Sequence, residues 1–164
     1  MFPDALIQQA EAVLYRCRAN GIRLVTAESC TGGLIAACLT AVAGSSDVVE
    51  AGFVTYANDA KENMLGLAPS LIRRHGAVSE EVVLEMARGA LQNSSAGIVV
   101  AVSGIAGPGG GSQEKPVGLV HIAAMREDGQ HLHRAPVFAG DRQQVRLQAV
   151  SEAFTMLITL LESE

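Results

Sequence analysis

A chain of 164 residues, 49% apolar and only 4% aromatic, has material for one domain with a substantial core and is too apolar for disorder. Its formal net charge of −5, with no run of Lys or Arg, argues against a nucleic-acid surface, and no apolar segment reaches the ~20 residues that span a bilayer. The N-terminus lacks a basic-then-apolar signal pattern, and Cys17, Cys30 and Cys38 form an odd set without a CxxC pair, so a cytoplasmic protein with reduced thiols is expected.

In chain order, Asp4 to Ala19 places Leu6, Ile7, Ala10, Val13, Leu14 and Cys17 on one helical stripe, and Asn20-Gly21 supplies a stop. A short strand is expected over Ile22–Val25. The stretch Thr26-Ala27-Glu28-Ser29-Cys30-Thr31-Gly32-Gly33 follows as a tight turn, then a helix from Leu34 to near Ala43-Gly44. Val48 to Tyr56, rich in β-branched and aromatic residues, reads as a second strand. Asn58 to Leu65 reads as a helix with Asn58 as its N-cap, and Pro69 to His75 as a short helix closing on Gly76. Ser79-Glu80-Glu81 opens the next helix, a Ser cap with two acids suited to the helix dipole. Gly97 to Ser103 is nearly continuous apolar sequence, the signature of a strand covered on both faces. After a glycine-rich loop over Gly104–Lys115, the segments Val117–Met125 and Leu132–Phe138 flank the hairpin signal Asp128-Gly129. Asp141 to Leu161 closes the chain as a long helix. Helices between the early strands and a late hairpin predict a single-domain, three-layer α/β/α sandwich on a mixed, mostly parallel sheet, spanning 1–164.

Four places hold groups able to do chemistry. Ser29 sits where strand becomes helix, beside N–H groups suited to negative charge, so it offers a nucleophile with an oxyanion site. The same residues also make a helix cap with small residues for close packing, and alone the stretch favours that plainer reading. Cys30 is a rival nucleophile if the helix terminus lowers its pKa. Tyr56 and Lys61 can reach the same sheet edge. A lysine base needs its pKa brought from ~10.4 to around 7–8, and a helix terminus supplies less than one unit, so burial has to do the rest. As isolated residues they read as a strand end and a solvated lysine. The loop from Ser103 and Gly104 through Gly107, Gly109 and Gly110 is neither a Walker A nor a GxGxxG motif; it serves equally as a turn or a ligand cradle. Arg142 and Arg146, four apart, share a helix face and suit either a phosphate or a surface pair. His131 and His133 alternate onto one strand face without a third ligand, and no metal site is expected.

Taken in order, Thr26–Gly33, Tyr56-Ala57-Asn58 with Lys61, Gly76–Glu81, Ser103–Gly110 with Lys115-Pro116-Val117-Gly118, and Gly140-Asp141-Arg142 resemble the CinA C-terminal domain family. The resemblance runs from about Ala5 to the last helix, and the length leaves no room for the N-terminal domain of the long CinA proteins. It implies hydrolysis of nicotinamide mononucleotide to nicotinate mononucleotide and ammonia, without metal or cofactor. Ser29 would be the nucleophile, Lys61 the base and Tyr56 an assistant within that pair. Backbone N–H groups over Cys30, Thr31, Gly32 and Gly33 would hold the oxyanion. The substrate would also meet Asn58, and its 5′-phosphate the Ser103–Gly110 glycine loop with Arg142, with Arg146 as a further helper; the sequence does not fix which of them touches it. Ser103 stands where the family is expected to carry Thr, and Ala57 where it more often has Ser. A homo-oligomer is expected, with no nucleic-acid or membrane partner. A nucleotide-binding or regulatory module without turnover is the alternative.

Overall fold

In the computed structural model, which describes residues 1–163, five strands form one sheet. They are β1 (Leu24–Glu28), β2 (Val49–Val54), β3 (Ile98–Gly104), β4 (Val120–Arg126) and β5 (His131–Arg134), in the order β2-β1-β3-β4-β5. The first three run parallel, and β4 and β5 add antiparallel at one side. Helices α1 (Asp4–Asn20), α2 (Leu34–Thr40) and α6 (Arg142–Glu162) cover one face; α3 (Asn58–Leu65), α4 (Pro69–His75) and α5 (Glu80–Gln92) cover the other. The three-layer sandwich predicted from the element pattern is the observed fold.

Period-two alternation divides the core. Leu24, Ile98, Val100, Val102, Val120, Ile122 and Ala124 pack under α1 and α6, while Val25, Ala27, Val99, Ala101, Ala123 and Met125 pack under α5. The α6 stripe seals the first face with Phe154, Met156 and Leu157, all fully buried, each contributing roughly 1.5–3 kcal/mol. Helix starts follow local chemistry: Ser79 Oγ accepts from Val82 N–H, and Asp141 and Gln144 form a reciprocal capping box on α6.

Several element ends differ from the sequence expectation: β2 is shorter, at Val49–Val54, and β4 begins at Val120 rather than Val117. β1 begins later and runs to Glu28, because pairing on both sides by β2 and β3 carries Thr26-Ala27-Glu28 into the sheet. α2 stops at Thr40 rather than near Gly44. β5 ends at Arg134, since Pro136 cannot donate to the ladder; beyond it Val137 makes only an isolated bridge to Leu119.

The chain leaves β1 for β2 on one side and returns to β3 on the other. The carboxyl ends of β1 and β3 therefore lie together, with Glu28 opposite Val102, at the reversal point where open α/β sheets form their crevice.

Candidate active site

That crevice is a cleft of about 220 Å³ built from five segments. The turn after β1 brings Ser29 and Cys30; the β2–α3 connection and α3 bring Tyr56, Asn58 and Lys61. The segment before α5 brings Ala77 and Val78; the end of β3 brings Ser103, Gly104 and Ala106; α6 brings Arg142. A larger hollow of about 450 Å³ lies between the end of α5 and the β4–β5 hairpin, where Ser94 Oγ is turned onto Ala90 O.

Lys61 is 1% exposed, and its Nζ lies 3.1 Å from Ser29 Oγ, 2.8 Å from Thr55 O and 3.4 Å from Tyr56 O. Two carbonyls and one hydroxyl therefore surround the amine: Nζ donates to both carbonyls and lies within hydrogen-bond distance of the Ser29 hydroxyl, which can either accept or donate. Carboxylates are missing from this set of partners, so burial penalises the ammonium and lowers the Lys61 pKa, with the Cys30 thiol pulling weakly the other way. Burial thus acts in the direction that a base needs.

The sequence expectation gave the first turn of the post-β1 helix to a ligand. Instead Glu28, fully buried, occupies it. Oε2 accepts from Thr31 Oγ1 (2.6 Å), Gly33 N–H (3.1 Å) and Ile35 N–H (3.1 Å), and Oε1 from Ala36 N–H (2.9 Å). Gly32 and Gly33 permit the bend by adopting φ of +59° and +98°. Thr31, Gly32 and Gly33 thus shape the turn and do not line the cleft. Among the described residues, the N–H groups of Cys30 and Thr31 have no backbone or carboxylate acceptor. With the helix terminus occupied by Glu28, burial pushes the Cys30 thiol up to about 11; its own N–H, Arg146 and Lys61 pull the other way and Glu28 adds to the rise.

Tyr56 enters through its main chain. Its carbonyl meets Lys61, whereas its exposed ring turns outward and its hydroxyl accepts from Arg142 Nη2 at 2.8 Å, not from the Ser29–Lys61 pair. Arg142 also donates to Gly107 O at 2.8 Å, and so spans the cleft mouth. Arg146 points elsewhere: Nε donates to Cys30 O (3.1 Å) and Nη2 to Thr31 O (3.0 Å), behind the turn. Asn58 lines the cleft but does not cap α3; that position is Ala57, in an extended conformation with no side-chain bond. Ser103 Oγ donates to Ala77 O at 2.7 Å and ties the 76–79 segment to β3. Gly104 lines the cleft, Gly107 contributes only its carbonyl to Arg142, and Gly109 and Gly110 stand outside it. The histidine that meets His133 is His121, across the hairpin at 2.9 Å, rather than His131. Among the described residues no three His, Cys, Asp or Glu side chains gather closely enough to hold a metal ion, and no helix is long and apolar enough to cross a membrane.

Sequence reasoning missed Glu28, the Thr55 carbonyl, Ala77, Val78 and Ala106. Glu28, Ala77, Val78 and Ala106 lie inside the motifs that carry the resemblance, but only Glu28 has a side chain that signals a role; the others act through backbone or as walls.

A one-domain, three-layer α/β protein with a buried serine–lysine contact at the crevice of its sheet is the class these features define. Within it the chain belongs to the CinA family: residues 7–161 match the CinA C-terminal domain. It is 48% identical over 157 residues to a nicotinamide-nucleotide amidohydrolase, PncC, of Escherichia coli (strain K12), covering 96% of this chain and 95% of that protein. A second protein of that name, from Enterobacter agglomerans, is 53% identical over 132 residues, 80% of each chain. The crystal structure of competence/damage inducible protein CihA from Agrobacterium tumefaciens superposes with a TM-score of 0.95 at 50% identity, covering 98% of both chains.

Proposed function

We propose that this chain is an amidohydrolase that converts nicotinamide mononucleotide to nicotinate mononucleotide and ammonia. Its likeness along nearly the full chain to nicotinamide-nucleotide amidohydrolases supports the substrate class. The observation that carries the mechanism is the buried Lys61 Nζ, 3.1 Å from Ser29 Oγ, with two carbonyls and no carboxylate around it. Neutral Lys61 takes the proton of Ser29 as Oγ bonds to the carboxamide carbon. Cys30 N–H, on the residue after the nucleophile, donates to the oxygen that becomes anionic. The tetrahedral species collapses with C–N cleavage; Lys61 returns the proton to the departing nitrogen, and ammonia leaves a nicotinoyl-serine ester. Water then attacks that ester with Lys61 again as base, giving the carboxylate and free Ser29. Arg142, preset by Gly107 O and Tyr56 Oη, is the cation best placed for the 5′-phosphate, with Asn58, Ser103 and Gly104 on the walls.

The test is ammonia release from nicotinamide mononucleotide by purified protein, with mass spectrometry of the quenched reaction. The acyl group is expected on the peptide holding Ser29, and Ser29→Ala is expected to abolish it. Arg142→Ala is expected to raise KM more than it lowers kcat. A wild-type protein that binds the nucleotide without releasing ammonia overturns the reading and leaves a binding module.

A further inference from the structure

The turn that presents Ser29 is held from behind by a positive group whose influence reaches the cleft through the backbone. Arg146 Nη2 donates to Thr31 O; the peptide that carries this carbonyl ends in Gly32 N–H, which donates to Ser29 O at 3.0 Å. The peptide that carries Ser29 O ends in Cys30 N–H, which has no backbone acceptor among the described residues, faces at most its own thiol, and belongs to a residue lining the cleft. The only cis peptide among the described residues is Gly107–Pro108, so each N–H here points opposite its own carbonyl. A guanidinium, two peptide groups and one free donor thus form a single hydrogen-bonded series in which each member polarises the next. Arg146 Nε meanwhile holds Cys30 O, so the fork fixes two successive carbonyls of the turn.

We infer that Arg146 is a positioning residue for the oxyanion site: through Thr31 O, Gly32 N–H and Ser29 O it orients and strengthens the Cys30 N–H donor without touching the substrate. This rests on the amide-hydrolysis reading above. The effect grows as charge develops on the carbonyl oxygen, so it belongs to the transition state rather than to substrate binding. It also explains a second arginine beside Arg142: one faces the cleft mouth, the other the back of the nucleophile's turn.

The experiment compares wild type, Arg146→Met and Arg146→Lys as whole purified chains. It reads kcat and KM for nicotinamide mononucleotide, the Ki of pyridine-3-boronic acid (a tetrahedral anion once bonded to a serine), the pH profile and the melting midpoint. Losing an oxyanion donor outright costs about 10²–10³-fold in kcat, so loosening one is expected to cost about 10- to 100-fold in Arg146→Met, with KM changed less than about threefold. The boronate Ki should rise by a similar factor, the acid limb should stay in place because Lys61 is untouched, and Arg146→Lys, which keeps the charge but not the fork, should fall between. Raised KM with intact kcat would make Arg146 a substrate contact and overturn the inference, as would full kcat in folded Arg146→Met. Should that variant fail to fold, Arg146→Lys decides: unchanged kcat and boronate affinity overturn it. Wild-type protein that releases no ammonia fails the amide reading instead, a separate result.

Discussion

Glu28→Gln is the sharpest perturbation of the site's frame, because it keeps the shape and removes one acceptor and the charge. In the native chain Oε2 serves three donors and Oε1 one. A glutamine can place its amide oxygen at only one of these positions. The less costly choice is the Oε2 position, which leaves Ala36 N–H facing an NH2 group; a buried donor without a partner costs about 1–3 kcal/mol. The three remaining bonds lose their charge assistance, about 1 kcal/mol each in net terms that already include desolvation. Together this is roughly 4–6 kcal/mol, a large share of the 5–15 kcal/mol that holds a domain folded. At about 2–4 °C per kcal/mol for a chain of this size, the midpoint should fall by roughly 10–20 °C in a circular-dichroism melt. A midpoint within about 3 °C of wild type would mean that the carboxylate does not anchor the α2 terminus, and the account of the turn would fail.

The remaining predictions concern the ionisable groups of the cleft and hairpin. Lys61→Met should lose at least about 10²-fold in kcat while the fold persists, the lower bound for a general base. In wild type the acid limb of kcat/KM should belong to Lys61: its depressed pKa keeps it neutral to lower pH than a free lysine, and activity falls as pH drops through that value. A kcat/KM that still titrates identically in Lys61→Met would assign that limb elsewhere. With its thiol pushed up to about 11, Cys30 should resist iodoacetamide in the folded protein at pH 8, and Cys30→Ala should keep kcat within about tenfold of wild type; rapid labelling or a larger loss would reopen it as the nucleophile. His121, lowered from its ordinary 6.5 by burial, then by His133 and Lys115, and opposed by Glu80 and Glu81, binds fewer protons folded than unfolded. The stability this group contributes is therefore present above pH 6.5 and lost as pH falls from there through its folded pKa. His121→Gln should flatten the fall of the melting midpoint below that pH, and an unchanged slope would remove His121 as its source.

The order of helices and strands was legible in the chain because amphipathic periods are local: the stripes of α1, α5 and α6, the apolar run of β3 and the Asp128-Gly129 hairpin each declare themselves within a few turns. Three layers follow from them, since apolar stripes and a two-sided sheet can bury one another in few ways. Ser29 and Lys61 were legible as candidates, and the resemblance to the CinA domain joined them. Only tertiary structure decided what each polar group does. Lys61 loses its water, which lowers its pKa, and meets Ser29, 32 positions away; periodicity says nothing about desolvation. Arg146 was expected at a phosphate and instead grips carbonyls 115 and 116 positions earlier, while the Tyr56 hydroxyl goes to Arg142. Glu28, one acid within the Thr26–Gly33 motif, fills the helix terminus where the sequence alone suggests a ligand. A period fixes which face is buried; the partner of a buried charge is chosen by segments that meet only when the chain has closed.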